Sequence, residues 1–390
     1  MKDNGHLLAE QLETLLQQWP QWRQHCAPGA VPVLHALQQC RSRALGYHLY
    51  QCSACTQQKM QYHSCRNRHC PNCGTSKQQQ WVEARLRELL PCKYYHVVFT
   101  LPHALNSLVL GNRRVMYKML FDAAHDTLQC FGNDPRYLGA RAGIISVLHT
   151  WGQNLSFHPH VHCIVSGGGQ DATGRWQEGK KTKYGVLYPV QAMQQVYRGR
   201  FMHLLKKGIA RNEIKPPNDT DVQALQTMLY TQRWVVYAKQ PFGGPQQVVE
   251  YLGRYTHKVA ISNHRIRSID PDHNVTFEYK DYAAGGIKKL MTLEGAEFLR
   301  RFSQHILPKG FCKVRSAGIY TNHGRKKRIE ALLQQLRVPR HPEPAIVPWH
   351  VLSMERTGVN PLVCAHCKKG TMQVTDIILP QKGHTLPPWP

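Results

Sequence analysis

Two Cys-x2-Cys knuckles, Cys52–Cys55 and Cys70–Cys73, stand 14 residues apart in the first quarter of this 390-residue chain. That spacing restricts the fold more than any other feature. Four thiolates so arranged suit one tetrahedral zinc ion, and a closed four-sulfur shell is structural rather than catalytic. Seven of the 13 cysteines lie between Cys26 and Cys73. Cys40, Cys65 and His69 are surplus ligands there and form a candidate second site. Clustered pairs of this kind fit metal ligands in a reducing compartment better than disulfides. Far downstream, Cys364-x2-Cys367 is half a site, and Cys312 or His323 are candidates to complete it.

Charge narrows the partner. Fifty Lys and Arg face 24 Asp and Glu, a formal charge of +26. Such a field favours polyanions, nucleic acid first. No apolar run approaches the ~18 residues of a membrane span. Leu8, Leu12, Leu15 and Trp19 recur at helical spacing, which predicts a short amphipathic helix rather than a leader. A cytoplasmic protein with no membrane partner is expected.

Periodicity organises the rest. Residues 1–80 form the small zinc-binding unit. Tyr94–Leu101 is aromatic and β-branched, a strand stopped by Pro102. A helical pattern runs from Asn106 to Phe131. Arg141–Trp151 and Phe157–Ser166 are two strands joined by a polar stretch, an antiparallel pair, with a loop from Gly167-Gly168-Gly169 onward. Helices follow from Pro189, Thr220 and Pro245, with a strand at Arg233–Lys239 between the last two. A hairpin spans Val259–Tyr279, and Thr292 caps one more helix. The class is α+β, an antiparallel sheet with helices on its faces. The expected divisions are 1–80, 81–310 and a basic region 311–390.

Within the second strand, His158, His160 and His162 alternate with Pro159, Val161 and Cys163. Period two puts the imidazoles on one face and the apolar side chains on the other. Such a face is a metal platform. His160 and His162 are the sharper pair, and a mixed imidazole and oxygen site suits Mg2+ or Mn2+. Gln153 is the candidate third ligand and His158 its competitor. Tyr251 and Tyr255 are four apart on a predicted helix, so both phenols leave one side. Cationic residues crowd them, unlike a core stripe.

The histidine pair on a strand, followed about 90 residues later by a helical Tyr-x3-Tyr, resembles the HUH endonucleases. With the Cys-rich block, the chain is similar to the rolling-circle, two-tyrosine transposases of bacterial insertion sequences, the insertion-sequence ninety-one family. The stretches YQCSAC, SCRNRHCPNC, TWGQNLSFHPHVHCIVSGGG and YLGRYTHKVAISNHRI carry the likeness, within roughly residues 40–330. It implies an HUH nuclease domain behind the zinc unit, Tyr251 or Tyr255 as nucleophile, and a 5′-phosphotyrosine intermediate. It also implies a catalytic Mg2+ or Mn2+ on His160 and His162. The amide of Gln153 departs from the acid that replication initiators of the wider superfamily carry at a similar distance upstream.

The substrate so implied is single-stranded DNA at element ends and target, in a bacterial, nucleoid-associated setting. Lys239, Arg254, His257, Lys258, Asn263 and Arg265, near the tyrosines in sequence, are the candidate DNA contacts. Two other functions fit parts of the pattern. A plasmid-type replication initiator or relaxase shares the chemistry. A non-catalytic zinc-finger DNA-binding protein shares only the cysteines and the charge.

Overall fold

A computed structural model describes residues 12–73, 81–82, 84–180, 185–239, 247–248, 251, 253, 260–339 and 347–380. Helix α1 (Leu12–Gln18) buries Leu12, Leu15 and Leu16, the i, i+3, i+4 face. Helix α2 (Val31–Gln38) meets it with Leu34 and Leu37. An antiparallel hairpin follows, β1 (Tyr47–Cys52) and β2 (Gln58–Tyr62).

The next strand, β3 (Tyr94–Thr100), precedes helices α3 (Asn106–Gly111) and α4 (Arg113–Asn133). One continuous helix was expected here. Asn112 interrupts it at φ −130° and ψ 37°, with its amide spent on Leu108 O at 3.0 Å and Lys215 O at 2.8 Å. A long hairpin, β4 (Arg141–Trp151) and β5 (Phe157–Gln170), is followed by the short β6 (Trp176–Glu178). The triple glycine expected to open a loop lies inside β5. Its glycines admit close neighbours: a Cβ on Gly168 would run into the Trp176 ring, and one on Gly169 would meet Arg141 O at 2.5 Å.

Helices α5 (Val190–Ala210) and α6 (Val222–Thr231) lead to β7 (Val236–Lys239). Asp221 caps α6, its carboxylate accepting the Ala224 N–H at 2.9 Å. A three-stranded sheet comes next: β8 (Ile266–Ile269), β9 (Val275–Asp281) and β10 (Ile287–Leu293). Thr292 is therefore a strand residue, its hydroxyl 2.8 Å from that of Thr276, and not a helix cap. Glu294 instead precedes helix α7 (Gly295–Gln304). The chain then adds β11 (Val314–Gly318), α8 (Arg325–Gln335), α9 (Trp349–Thr357) and β12 (Met372–Ile378).

The central sheet is antiparallel in the order β11-β4-β5-β3-β7, with β6 on the end of β5. One face carries Val97, Phe99, Leu148, Val161 and Cys163 against α4 and α5. The other carries Tyr94, Ile145, Val147 and Ile164 against Leu89, Val248 and the α8 residues Ile329, Leu332 and Leu333. A second core joins α1 and α2 to β8–β10 and α7 through Leu16, Leu37, Phe277 and Phe298. Residues 12–73 thus share an interior with residues 260–306. Nor does the region from 311 stand apart: β11 completes the central sheet, and β12 pairs with β1. Both outcomes need pairings between distant residues, which local periodicity does not encode.

Candidate active site

The second face of the central sheet ends in imidazoles. On β3, β4 and β5 the alternation that buries Tyr94, Ile145, Val147 and Ile164 continues into His96, His149, His162 and His160. Register puts His149 of β4 opposite His160 of β5, and Val147 opposite His162. One ring nitrogen from each of His149, His160 and His162 lies within 4.8 Å of the others. The Nε2 atoms of His160 and His162 are 3.1 Å apart. Adjacent octahedral positions about an ion with ~2.1 Å metal–nitrogen bonds are separated by ~3.0 Å, so the pair fits.

Outer hydrogen bonds set the rings. His160 Nδ1 donates to His158 O at 2.6 Å. His162 Nδ1 lies 2.9 Å from His96 Nε2. Each bond occupies Nδ1 and turns Nε2 toward the cluster, an arrangement typical of imidazole ligands. Burial holds the rings neutral. It depresses His160 to about 4, with help from His158, and His96 to about 3, with help from Lys239 and His160. His162 is pushed well below its ordinary value by burial, then by His149, His160 and His96. Neutral imidazole is the metal-binding form.

His149 was not among the sequence candidates, although it stands two and four residues beyond Val147 and Ile145 on one strand face. Gln153, given the third position, sits in the turn beyond the last β4–β5 pair, Trp151 with Phe157. Its carbonyl accepts from the Arg265 guanidinium. A hairpin of this register brings His149 to the pair, a third imidazole beside the two expected. His158 is outside the trio and tilts against His103, ring centroids 5.3 Å apart.

Residues 247, 248, 251 and 253 are helical. Val248 is buried in the second-face core, and half-buried Tyr251 packs at its margin. The Tyr251 ring meets that of His96 in a T-shaped contact, centroids 4.9 Å apart, and the His96 and His162 rings are nearly parallel with centroids 5.1 Å apart. Tyr255, Arg254, His257 and Lys258 lie outside the described residues. Lys239 is exposed beside the site, paired with His96 across the β3–β7 ladder.

Two other DNA-contact candidates face inward. Asn263 donates to Asn72 Oδ1 at 3.1 Å and to the buried carboxylate of Glu13 at 3.4 Å. Arg265 donates to Glu278 O at 2.8 Å and lies over the Phe277 ring. Both fasten β8 to its neighbours. Proximity in sequence to a nucleophile does not fix the direction of a side chain.

The cysteines also regroup. The two knuckles expected around one ion belong to separate quartets: Cys40, Cys65, Cys70 and Cys73, and Cys52, Cys55, Cys364 and Cys367. In the first, Cys40–Cys73, Cys65–Cys73 and Cys40–Cys70 sulfurs are 3.6, 3.7 and 3.6 Å apart. In the second, Cys52–Cys367 is 3.6 Å and Cys55–Cys364 is 3.7 Å. A tetrahedron with ~2.3 Å zinc–sulfur bonds has edges of ~3.8 Å, so both quartets fit structural zinc and neither is a disulfide pair. The β1–β12 ladder carries Cys364 and Cys367 to the first knuckle. Backbone N–H groups of Gly370 and Lys369 pull the Cys367 thiol down to about 6. His69 belongs to neither quartet; its Nε2 accepts the Leu307 N–H at 3.4 Å.

Comparison with known proteins matches these parts. A family model described as "Transposase zinc-binding domain", of the insertion-sequence ninety-one type, covers residues 10–101. A second, described as "Putative transposase", covers residues 143–328. The chain is 40% identical to "Putative transposase y4qJ" of Sinorhizobium fredii over 91% of its own length and 90% of that protein. It is 30% identical to the "Transposase for insertion sequence element IS801" of Pseudomonas savastanoi pv. phaseolicola, over 73% of this chain and 68% of that one. Among solved structures, the conjugative relaxase TrwC in complex with oriT DNA aligns at 14% identity and a TM-score of 0.22, over 41% of this chain and 68% of that chain.

Proposed function

The chain belongs to the transposases of the insertion-sequence ninety-one family, and from that membership we propose that it nicks and rejoins single-stranded DNA through Tyr251. One contact carries the proposal: the Tyr251 ring against His96, whose imidazole is bonded to His162 of the three-histidine cluster. A phenol of pKa ~10 is a poor nucleophile at neutral pH until its proton is removed.

His149, His160 and His162 would hold a divalent cation. A cation held there would supply Lewis-acid polarisation of the scissile phosphate, and the three imidazoles would fix where that charge sits. An all-imidazole set favours a transition ion such as Mn2+ over Mg2+, which prefers oxygen. The Tyr251 oxygen bonds to phosphorus as the P–O3′ bond breaks, and the phenolic proton ends on the departing 3′ oxygen. The 5′ phosphate stays on tyrosine, and a 3′-OH from another strand reverses the step without ATP. Lys239, exposed beside His96, balances phosphate charge. Tyr255 serves a second strand while Tyr251 is occupied.

The test incubates protein with labelled single-stranded oligonucleotides of element ends and Mn2+ or Mg2+, then separates products on a denaturing gel. A shifted covalent band is expected, lost in His160→Ala and His162→Ala and lost or reduced in Tyr251→Phe. A band undiminished in the Tyr251→Phe, Tyr255→Phe double variant would remove the tyrosines from the reaction. No band with any divalent ion would leave a zinc protein that binds DNA without cutting it.

A further inference from the structure

A cavity of about 700 Å³ opens between the first cysteine quartet and the β11 edge of the central sheet. Arg66, Arg68, Arg85, Lys313, Arg315 and Arg325 line it, and no acidic side chain does so among the described residues. Two carboxylates that pair with these cations, Glu88 and Asp122, are not lining residues. Glu88 is shared by Arg85 at 2.9 Å and Arg325 at 3.2 Å, and Asp122 lies 3.9 Å from Arg315. Arg68 is spent on the backbone, donating to Pro308 O at 2.9 Å and Phe311 O at 2.5 Å. Trp81 and Phe311 add aromatic surface to the wall.

Its place in the fold ties it to the histidines. Lys313 O accepts the Leu148 N–H at 2.8 Å, one residue before His149. Trp151, stacked on His149 at 4.6 Å, lines one small cavity together with the cleft residues Arg68 and Lys313. Burial, then Arg68, lowers Lys313 to about 7. Cations crowded into a concave, partly dry surface repel one another, and a bound polyanion relieves that repulsion.

We propose that this cleft is a second nucleic-acid site, which grips the phosphate backbone of single-stranded DNA flanking the bond broken at the histidine cluster. The assignment rests on the single-strand DNA reading above and adds to it the path of the strand. Arg66, Arg315 and Arg325 contact phosphates, and Trp81 offers a ring for a base. Base–aromatic stacking beside a cationic groove tolerates any sequence, as a flanking site must.

The experiment measures binding of fluorescein-labelled oligothymidylate of about 20 nucleotides by anisotropy across a salt series. Each phosphate contact on a single strand contributes about 0.7 to the slope of log K against log salt. The Arg66→Gln, Arg315→Gln, Arg325→Gln variant should lose about 2 from that slope. A control of equal charge change on exposed residues, Lys59→Gln, Lys326→Gln, Lys327→Gln, should lose much less. An unchanged slope in the cleft variant, or an equal loss in the control, overturns the assignment whether or not a covalent adduct forms. A reduced slope with no adduct in the parent protein supports the cleft and sinks the nicking reading instead. Should the cleft variant not fold, phenylglyoxal modification of the parent decides: oligothymidylate protects Arg66 and Arg325 if the cleft binds it, and leaves them reactive if it does not.

Discussion

His96 Nε2 lies 2.9 Å from His162 Nδ1, so the one imidazole fixes the ring of the other while also touching the ring of Tyr251. His96 is a positioning residue that links the candidate nucleophile to the candidate metal centre.

Removing it should loosen the metal without removing a ligand. Loss of such an outer partner typically costs 10–100-fold in metal affinity. We expect His96→Ala to raise by about that factor the Mn2+ concentration giving half-maximal adduct. His96→Gln, whose amide oxygen can accept from Nδ1, should recover part of the loss. Equal Mn2+ dependence in parent and His96→Ala would leave His96 a packing residue only.

Two quartets predict two zinc ions per chain. Zinc released by a thiol reagent and measured colorimetrically should reach two equivalents. The Cys364→Ser, Cys367→Ser variant should release one. A single equivalent in the parent chain would mean that only one quartet closes around metal.

Gly370 should tolerate no side chain. A Cβ there would strike Cys52 Sγ and come within 2.9 Å of Ala54 N. Overpacking typically costs about 1–3 kcal/mol. Gly370→Ala should therefore lower the unfolding midpoint and speed zinc release from one site of the two.

Burial depresses His305 to about 4, against ~6.5 for an exposed imidazole. Its ring is shared between Thr150 Oγ1 at 3.2 Å and Leu155 O at 3.1 Å. The unfolded chain therefore binds a proton at His305 before the folded chain does. The resulting stability is complete above pH ~6.5 and is lost as pH falls toward ~4, on the order of 3 kcal/mol. His305→Asn should show a shallower decline in denaturant midpoint over that window than the parent, because acid acts alike on their zinc sites. Parallel curves would count against the assignment.

What could be seen in the sequence divides by distance along the chain. The β4–β5 hairpin was legible because two apolar, β-branched runs flank a polar turn, and period-two alternation within the second put His160 and His162 on one face. His149 was hidden only by register: its strand was foreseen, but its position opposite His160 depends on how the hairpin closes. Asn263 and Arg265 are DNA-contact candidates only by their nearness in sequence to the tyrosines, yet each satisfies groups from other segments, Glu13 and Asn72 in one case and Gln153 and Glu278 in the other. The cysteines mislead for the same reason. Cys52 and Cys70 are close enough in sequence to share an ion, but the β1–β12 pairing offers Cys52 a different set.

The second quartet has a consequence for how this protein is made. Cys55 leaves the ribosome 309 residues ahead of Cys364, the thiol it will face. Until Cys364 and Cys367 have been made, the first knuckle holds half a ligand set. A chain that stops short of Cys367 cannot close this quartet, and without β12 its β1 strand keeps an unpaired edge, so the metal site and the sheet around it are completed together.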